Sequence, residues 1–340
     1  MGAAEGRPLQ EIIDAMNELM RAWGWVHMYL TRPLEKYGVK GEVIIRKGLR
    51  EFGIFRGEEM RKWHESEGLP INMESLARYW DAASVFVIMD AMKAEGTFTP
   101  YHVKFPVRSC ILHDVWKEEG FQAGGYRYCD EIHHEVTKAY HKDGVCEIHE
   151  NMNKGDEFCG FQFVQVPYES VHNASEVFAE RITREPKKYA LECLARTVHV
   201  VGSLYVHLAK SIVNHLGDEG KKLLRDATLA LGEKRGKHVK QRLEAAGKTL
   251  TMPNIFAAFD LPYNLMWKML GNQSNSTYTA TVNYCPFAEV WSQRGLSHLG
   301  AVFCQNVYIG FFRVFSETAD VKIPQCLTSG DSRCTLKFKL

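Results

Sequence analysis

The sequence contains no long hydrophobic run and almost no net charge. No apolar stretch of about 18 residues occurs in its 340 residues, so no membrane-spanning helix is expected. The formal net charge of +1 gives no long-range field toward nucleic acid, and no basic run carries interleaved aromatic residues. We therefore expect no membrane or nucleic-acid partner, but a folded chain of 45% hydrophobic and 24% charged residues.

Signals for export and for disulfide formation are also missing. The first twenty residues lack the basic segment and apolar core of a secretory signal. Residue 6 is a glycine where myristoylation prefers serine or threonine, and we expect a cytoplasmic protein. Only nine cysteines occur, none spaced C-x-x-C, and a reducing compartment favours free thiols or metal ligands over disulfides.

The strongest positive signal is a duplication. The positions that recur after 175 residues are Cys110/Cys285, Trp116/Trp291, Gly120/Gly295, Gly125/Gly300, Cys129/Cys304, Gly155/Gly330, Asp156/Asp331, Cys159/Cys334 and Phe163/Phe338. Those that recur after 179 residues include Gly53/Gly232, Arg56/Arg235 and Gly57/Gly236. Such a repeat predicts two copies of one fold, which we place at residues 8–170 (the leading copy) and 188–340 (the trailing copy).

Both copies have the same order of predicted elements. In the leading copy the predicted helices span residues 9–29, 41–52, 57–67 and 126–141, with a short helix after Cys110. Its predicted hairpins span residues 83–107 and 145–164. Gly53 and Gly57 predict a corner between the second and third helices. Helices grouped around antiparallel hairpins indicate an α+β fold, built as a tandem pseudo-twofold repeat in which each copy has long helices and two hairpins.

The trailing copy lacks the histidines of the leading copy. On the predicted helix 126–141, Cys129 and His133 share one face, while Asp130 and His134 share the adjacent face. The replacements in the trailing copy are Gln305 for Asp130, Tyr308 for His133, Ile309 for His134, Ala288 for His113, Ser316 for His141 and Pro324 for His149. Shared residues should belong to the fold, so we expect the working site in the leading copy.

Three roles stay open for the cysteines of the leading copy. Cys110, Cys129 and Cys159 could bind a metal with His133 or Asp130 completing the set, because thiolate and imidazole suit zinc or iron. One of them, such as Cys129, could instead be a nucleophile with a histidine as its base. The third role is core packing, since free cysteine is among the most buried residue types.

For several other side chains the sequence allows two alternative roles. Asp130 and His134, four residues apart, predict either a general base oriented by a carboxylate or a surface ion pair. Arg56 could grip a ligand carboxylate or cap a helix. Trp116 and Asp156 are further candidates for substrate contacts, against the roles of core anchor and turn residue.

The motif order resembles a known family. Cys-x5-Trp, Cys-Asp and Gly-Asp-x-x-Cys, with Gly-x-x-Arg-Gly upstream, resemble the L-2-amino-thiazoline-4-carboxylic acid hydrolase-like family over nearly the whole chain, in two tandem copies. The outline is also similar to vinyl-reductase-type ligand-binding domains. The residues at the matching motif positions are Cys110, Cys129, Asp130, Asp156 and Cys159. The resemblance implies that water opens a cyclic amidine at a C–N bond, and Gln305 marks the trailing copy as the non-catalytic partner.

The expected function is therefore hydrolysis of a C–N bond in a small heterocyclic or amidine-type substrate. Water would be activated by Cys, His and Asp side chains of the leading copy, with or without a metal. The alternative is a non-catalytic module that binds a small molecule, a metal or a cofactor between the two repeats. A third option is a redox role through the thiols. A homodimer is a further expectation.

Overall fold

The computed structural model describes residues 6–81, 96–166 and 184–340. The chain forms two compact units, and each contains segments from both halves of the sequence. The leading unit contains Pro8–Gly24 and the described residues of Arg46–Val200, and the trailing unit contains Trp25–Ile45 and Val201–Leu340. None of the helices in these described ranges is long and apolar enough to cross a membrane.

Each copy supplies a similar series of helices. Those of the leading copy are α1 (Leu9–Thr31), a 3-10 helix (Arg32–Tyr37), α2 (Val39–Ser66), α3 (Met73–Arg78), α4 (Ile111–Glu118) and α5 (Gln122–Tyr140). Those of the trailing copy are α6 (Pro186–Ala245), α7 (Met252–Ala257), α8 (Tyr263–Met266), α9 (Pro286–Gln293) and α10 (Ser297–Arg313). Gly217 breaks α6 with a φ of +57°, and Gly38 precedes α2 with a φ of +55°. These equivalent breaks need glycine, because other residues are strained at positive φ.

Each copy also forms one four-stranded antiparallel sheet. The strands are β1 (Thr97–Thr99), β2 (His102–Val107), β3 (Gly144–Ile148), β4 (Cys159–Gln165), β5 (Lys268–Gln273), β6 (Thr277–Tyr284), β7 (Asp320–Gln325) and β8 (Cys334–Lys339). Their orders are β1-β2-β4-β3 and β5-β6-β8-β7, so the two hairpins of each copy join into a single sheet through β2 with β4 and β6 with β8. The α+β prediction with two similar halves is confirmed. Residues 83–95 of the first predicted hairpin lie outside the described residues.

The predicted corner at Gly53 and Gly57 is wrong, because α2 continues through both glycines. They instead let α2 approach α5 closely. A Cβ on Gly57 would lie 2.4 Å from the carbonyl oxygen of Val136. In the trailing copy, a Cβ on Gly236 would lie 2.5 Å from the carbonyl oxygen of Phe311. The recurring glycines are therefore required by backbone packing between helices rather than by a turn.

A buried tryptophan anchors each copy. Trp116 and Trp291 are both 0% exposed. Nε1–H of Trp116 donates to the carbonyl oxygen of Gly24 at 3.3 Å, and Nε1–H of Trp291 donates to that of Gly202 at 2.8 Å. Because Trp116 makes these core contacts, its predicted contact with substrate stays a prediction without support from the fold.

His64 is a buried histidine held neutral inside the leading unit. Its Nε2 lies 3.1 Å from the carbonyl oxygen of Tyr79, which can only accept, so Nε2 carries the proton. Its Nδ1 then accepts from the hydroxyl of Tyr140 at 2.7 Å. Burial lowers the pKa of His64 to about 3, because the charged ring would lose its hydration.

We expect this histidine to make stability fall in acid. Below about pH 6.5 the unfolded chain protonates His64, whereas the folded chain does so only near pH 3. Its contribution to the free energy of unfolding should therefore fall by about 1.4 kcal/mol per pH unit between these values. His64→Gln is the matched variant, because its amide can replace both hydrogen bonds. Measured by urea unfolding, the free energy of unfolding should depend less steeply on pH in this variant than in the wild type. Equal slopes would contradict this role.

Candidate functional site

Three thiols of the leading copy come from separate elements. Cys110 immediately precedes α4, Cys129 lies within α5 and Cys159 begins β4. Cys129 Sγ lies 3.8 Å from Nδ2 of Asn153, and Cys159 Sγ accepts the backbone N–H of Met152 at 3.4 Å. Burial raises the pKa of all three thiols, to about 11 for Cys110, and negative charge on Cys110 or Cys159 would raise that of Cys129 further. Near neutral pH this cluster therefore consists of uncharged thiols.

These residues do not fit the predicted metal site. In the ranges that the structure describes, no group of three or more His, Cys, Asp and Glu side chains is arranged to hold a metal ion. The predicted ligands Cys110, Cys129, Cys159 and His133 thus form no such set. The predicted zinc or iron site is not supported.

His133 is held by its own helix and by two aromatic rings. Its Nδ1 lies 2.8 Å from the carbonyl oxygen of Cys129, so Nδ1 carries the proton and Nε2 keeps a lone pair. The ring stacks on Trp80 at 5.5 Å between centroids and contacts Phe161 at 4.7 Å. Burial lowers the pKa of His133 to about 4. The site thus contains a neutral imidazole with a defined tautomer and an acceptor nitrogen.

Asp130 and His134 do not join through their side chains. The carboxylate of Asp130 lies 3.2 Å from Nη1 of Arg46. His134 is exposed, and its Nδ1 lies 3.1 Å from the backbone carbonyl oxygen of Asp130. The predicted carboxylate–imidazole pair is therefore not formed in the structure, and a catalytic role for either residue stays a prediction.

Arg56 is buried in an ion pair. Its Nε lies 3.1 Å from Oδ2 of Asp81, and its Nη2 contacts Oδ1 of the same carboxylate. The side chain is 2% exposed, and the guanidinium lies 5.2 Å from the ring centroid of Trp80. Burial alone would lower the pKa of Arg56, but the charge of Asp81 raises it above its usual value. With a carboxylate already in place, the predicted grip on a substrate carboxylate stays a prediction.

The partner of Arg56 is not among the residues predicted from the sequence. The 25-residue spacing from Arg56 to Asp81 recurs from Arg235 to Asp260, where the same two-point ion pair forms at 2.6 and 2.7 Å. Each aspartate also follows an aromatic residue, Trp80 in the leading copy and Phe259 in the trailing copy. An aromatic–Asp dipeptide recurring after 179 residues was thus a signal for a paired charge. Trp80, which stacks on His133, belongs to the same dipeptide and is likewise absent from the sequence predictions.

Asp156 forms a turn that both copies share. Its Oδ2 accepts the backbone N–H of Asn151 at 2.7 Å. The 3-10 helix Met152–Lys154 lies between these two residues and is followed by Gly155. In the trailing copy, Oδ2 of Asp331 accepts the backbone N–H of Cys326 at the same distance. This hydrogen bond fixes the turn before β4 or β8, and the predicted contact of Asp156 with substrate stays a prediction.

The trailing unit contains a small cavity beside the equivalent helix. The cavity has a volume of about 40 Å³ and is lined by aromatic rings and four cysteines. Tyr308, which replaces His133, lies here with its hydroxyl 2.8 Å from that of Tyr263. Burial raises the pKa of both phenols, so neither supplies a base near neutral pH. The trailing copy therefore lacks the acceptor nitrogen of the leading copy.

Comparison with known proteins identifies one family. The family model described as L-2-amino-thiazoline-4-carboxylic acid hydrolase matches residues 25–163 and, a second time, residues 197–338. These two matches cover more than half of the chain, and they confirm both the family resemblance and its tandem arrangement. No curated protein and no solved structure matches the chain. The outline similarity to vinyl-reductase-type domains stays a prediction.

Proposed function

Because the chain belongs to the L-2-amino-thiazoline-4-carboxylic acid hydrolase family, we propose that it hydrolyses a C–N bond of a small cyclic amidine in its leading copy. The observation that supports this most directly is the tautomer of His133. The hydrogen bond from Nδ1–H to the carbonyl oxygen of Cys129 leaves Nε2 as a proton acceptor. A neutral imidazole fixed in this way can accept a proton from water at Nε2.

In the proposed reaction His133 first accepts a proton and then donates it. The substrate enters as an amidinium, and water adds to the amidine carbon while Nε2 takes a proton from the water. The imidazolium then protonates the ring nitrogen as the C–N bond breaks. The remaining hydroxyl proton passes to the released amine, which leaves as ammonium, and the former amidine carbon becomes a carbamoyl group. One water is consumed, and the imidazole ends neutral.

The contacts of His133 support this assignment over His134. Trp80 and Phe161 cover the ring of His133, and a base in such surroundings acts with few competing water molecules. His134 is exposed, and the carboxylate that would orient it lies on Arg46. We therefore assign the base to His133 and expect no catalytic contribution from His134.

The thiols are not the nucleophile in this proposal. A cysteine nucleophile needs a thiolate, whereas burial raises the pKa of Cys110 to about 11 and that of Cys129 well above its usual value. At pH 7 a thiol of pKa 11 is ionised in only about one molecule in 10⁴. We therefore assign none of these uncharged thiols as the nucleophile.

The test is direct turnover. Wild-type protein incubated with 2-amino-thiazoline-4-carboxylic acid should give a product heavier by one water, which mass spectrometry detects. Activity should fall in acid with the pKa of His133, about 4, rather than with the ordinary histidine pKa of about 6.5. The counter-result is calorimetric binding without turnover across a panel of cyclic amidines, which would favour the non-catalytic binding module instead.

A further inference from the structure

Two cysteines of the trailing copy lie opposite each other at the end of a strand pair. Gln325 of β7 pairs with Thr335 of β8, and the next residues along these antiparallel strands are Cys326 and Cys334. The Cys334 thiol donates to Sγ of Cys326 at 3.9 Å, and both cysteines are free. Opposite residues in antiparallel strands have Cα atoms about 4.5–5.5 Å apart, which lies within the span of a disulfide.

The two sulfurs have different environments. Cys326 Sγ lies 3.0 Å from Oγ1 of Thr328. Hydrogen bonds from the thiols of Cys304 and Cys334 lower the pKa of Cys326. The same hydrogen bonds, together with burial, raise the pKa values of Cys304 and Cys334. Cys326 is therefore the sulfur that surrounding donors stabilise as a thiolate, and Cys334 is a neutral thiol in contact with it.

The leading copy lacks this pair. Asn151 occupies the position of Cys326, and Cys159 occupies that of Cys334. The surrounding backbone is otherwise the same, since Met152 N–H donates to Cys159 as Leu327 N–H donates to Cys334. The second thiol is thus a local addition in the trailing copy rather than a requirement of the turn.

A small reagent has space beside the pair. Cys326 and Cys334 both line the cavity of about 40 Å³ in the trailing unit. A cavity needs about 10–15 Å³ of space for the centre of a water-sized sphere to hold one water, so this cavity has the volume for a peroxide molecule.

We propose that Cys326 and Cys334 form an oxidisable dithiol that a peroxide converts into a cross-strand disulfide. The Cys326 thiolate attacks one oxygen of hydrogen peroxide, which breaks the O–O bond and gives a sulfenic acid and hydroxide. The Cys334 thiol then displaces water from that sulfenic acid, and its proton leaves with the water. Two sulfurs are each oxidised by one electron, and one peroxide is reduced.

The test is disulfide mapping in the intact, full-length protein. Wild-type protein is treated with hydrogen peroxide and then denatured in the presence of an alkylating reagent, which blocks the remaining free thiols. It is digested without reductant and analysed by mass spectrometry. We expect a linked peptide pair joining Cys326 to Cys334, lighter by two hydrogen atoms than the two thiol peptides together and separated by dithiothreitol. Cys110, Cys129 and Cys159 of the same sample should be recovered as alkylated thiols.

Cys326→Asn is the matched variant, because it places the leading copy's residue at this position. It should remain folded by circular dichroism and should leave Cys334 alkylated after peroxide. Mapping in the wild type does not depend on the folding of any variant. Recovery of both wild-type thiols after peroxide, a Cys326 sulfenic acid that dimedone traps without disulfide, or a disulfide to Cys304 would each overturn the proposal.

Discussion

Replacing Asp260 with alanine is expected to lower the free energy of unfolding by about 3–5 kcal/mol. Arg235 is 2% exposed and Asp260 is 0% exposed, so the variant would leave a buried guanidinium without its carboxylate. The rings of Phe259 and Phe311 beside Arg235 cannot accept its lost hydrogen bonds. Asp81→Ala should lower the free energy of unfolding similarly, because it leaves the buried Arg56 without its carboxylate. Urea unfolding followed by tryptophan fluorescence measures both losses.

A matched control separates burial from charge. Glu65 pairs with Arg61 on the surface of α2 with half of its side chain exposed, and Glu65→Ala should cost less than about 1 kcal/mol. The double variant Arg235→Met with Asp260→Leu should recover most of the loss, since no uncompensated charge remains. A loss for Asp260→Ala as small as that for Glu65→Ala would contradict the account of the ion pair.

Replacing His133 with glutamine is expected to lower kcat/KM by about 10²–10⁴-fold, the usual contribution of a general base. The glutamine amide can still donate to the carbonyl oxygen of Cys129, but it has no basic lone pair to replace Nε2. His134→Gln should change kcat/KM less than about twofold, because this exposed ring has no part in the proposed proton transfer. Steady-state kinetics with the cyclic amidine used for the wild type measure both effects.

Folding must be compared in the same samples. Both variants should have the far-ultraviolet circular dichroism of the wild type, so that loss of activity reports on chemistry. The opposite pattern, with His134→Gln inactive and His133→Gln active, would assign the base to the pair of Asp130 and His134.

The duplication made much of the fold predictable. Cysteines, glycines and tryptophans recurring at fixed offsets located two equivalent α+β halves, and the apolar spacing located α1 and α5 within a few residues. The corner at Gly53 was wrong because a glycine that permits a turn and a glycine that permits close helix packing look alike in sequence. Only the position of Ile132 and Val136 of α5 against α2 separates the two cases.

The candidate site was less predictable, because its contacts join residues distant in sequence. The i, i+4 spacing correctly placed Asp130 and His134 on one helical face. It did not indicate that Arg46 of α2 would take the carboxylate. Arg56 was noticed as a repeated residue, but the aspartate that holds it lies beyond the helix that carries it. Comparison of the copies drew attention to the histidines that the trailing copy lacks. It did not draw attention to Cys326, a thiol that the leading copy lacks.

Only the leading copy is expected to carry the reaction, and one paired comparison of variants from the two copies decides this. Tyr308 occupies the position of His133 in the trailing copy, so kcat/KM is compared for His133→Gln and Tyr308→Phe against the wild type. We predict a loss of at least about 10²-fold for His133→Gln and less than about threefold for Tyr308→Phe. Equal losses in folded variants, or a larger loss for Tyr308→Phe, would show that the trailing copy takes part in the reaction.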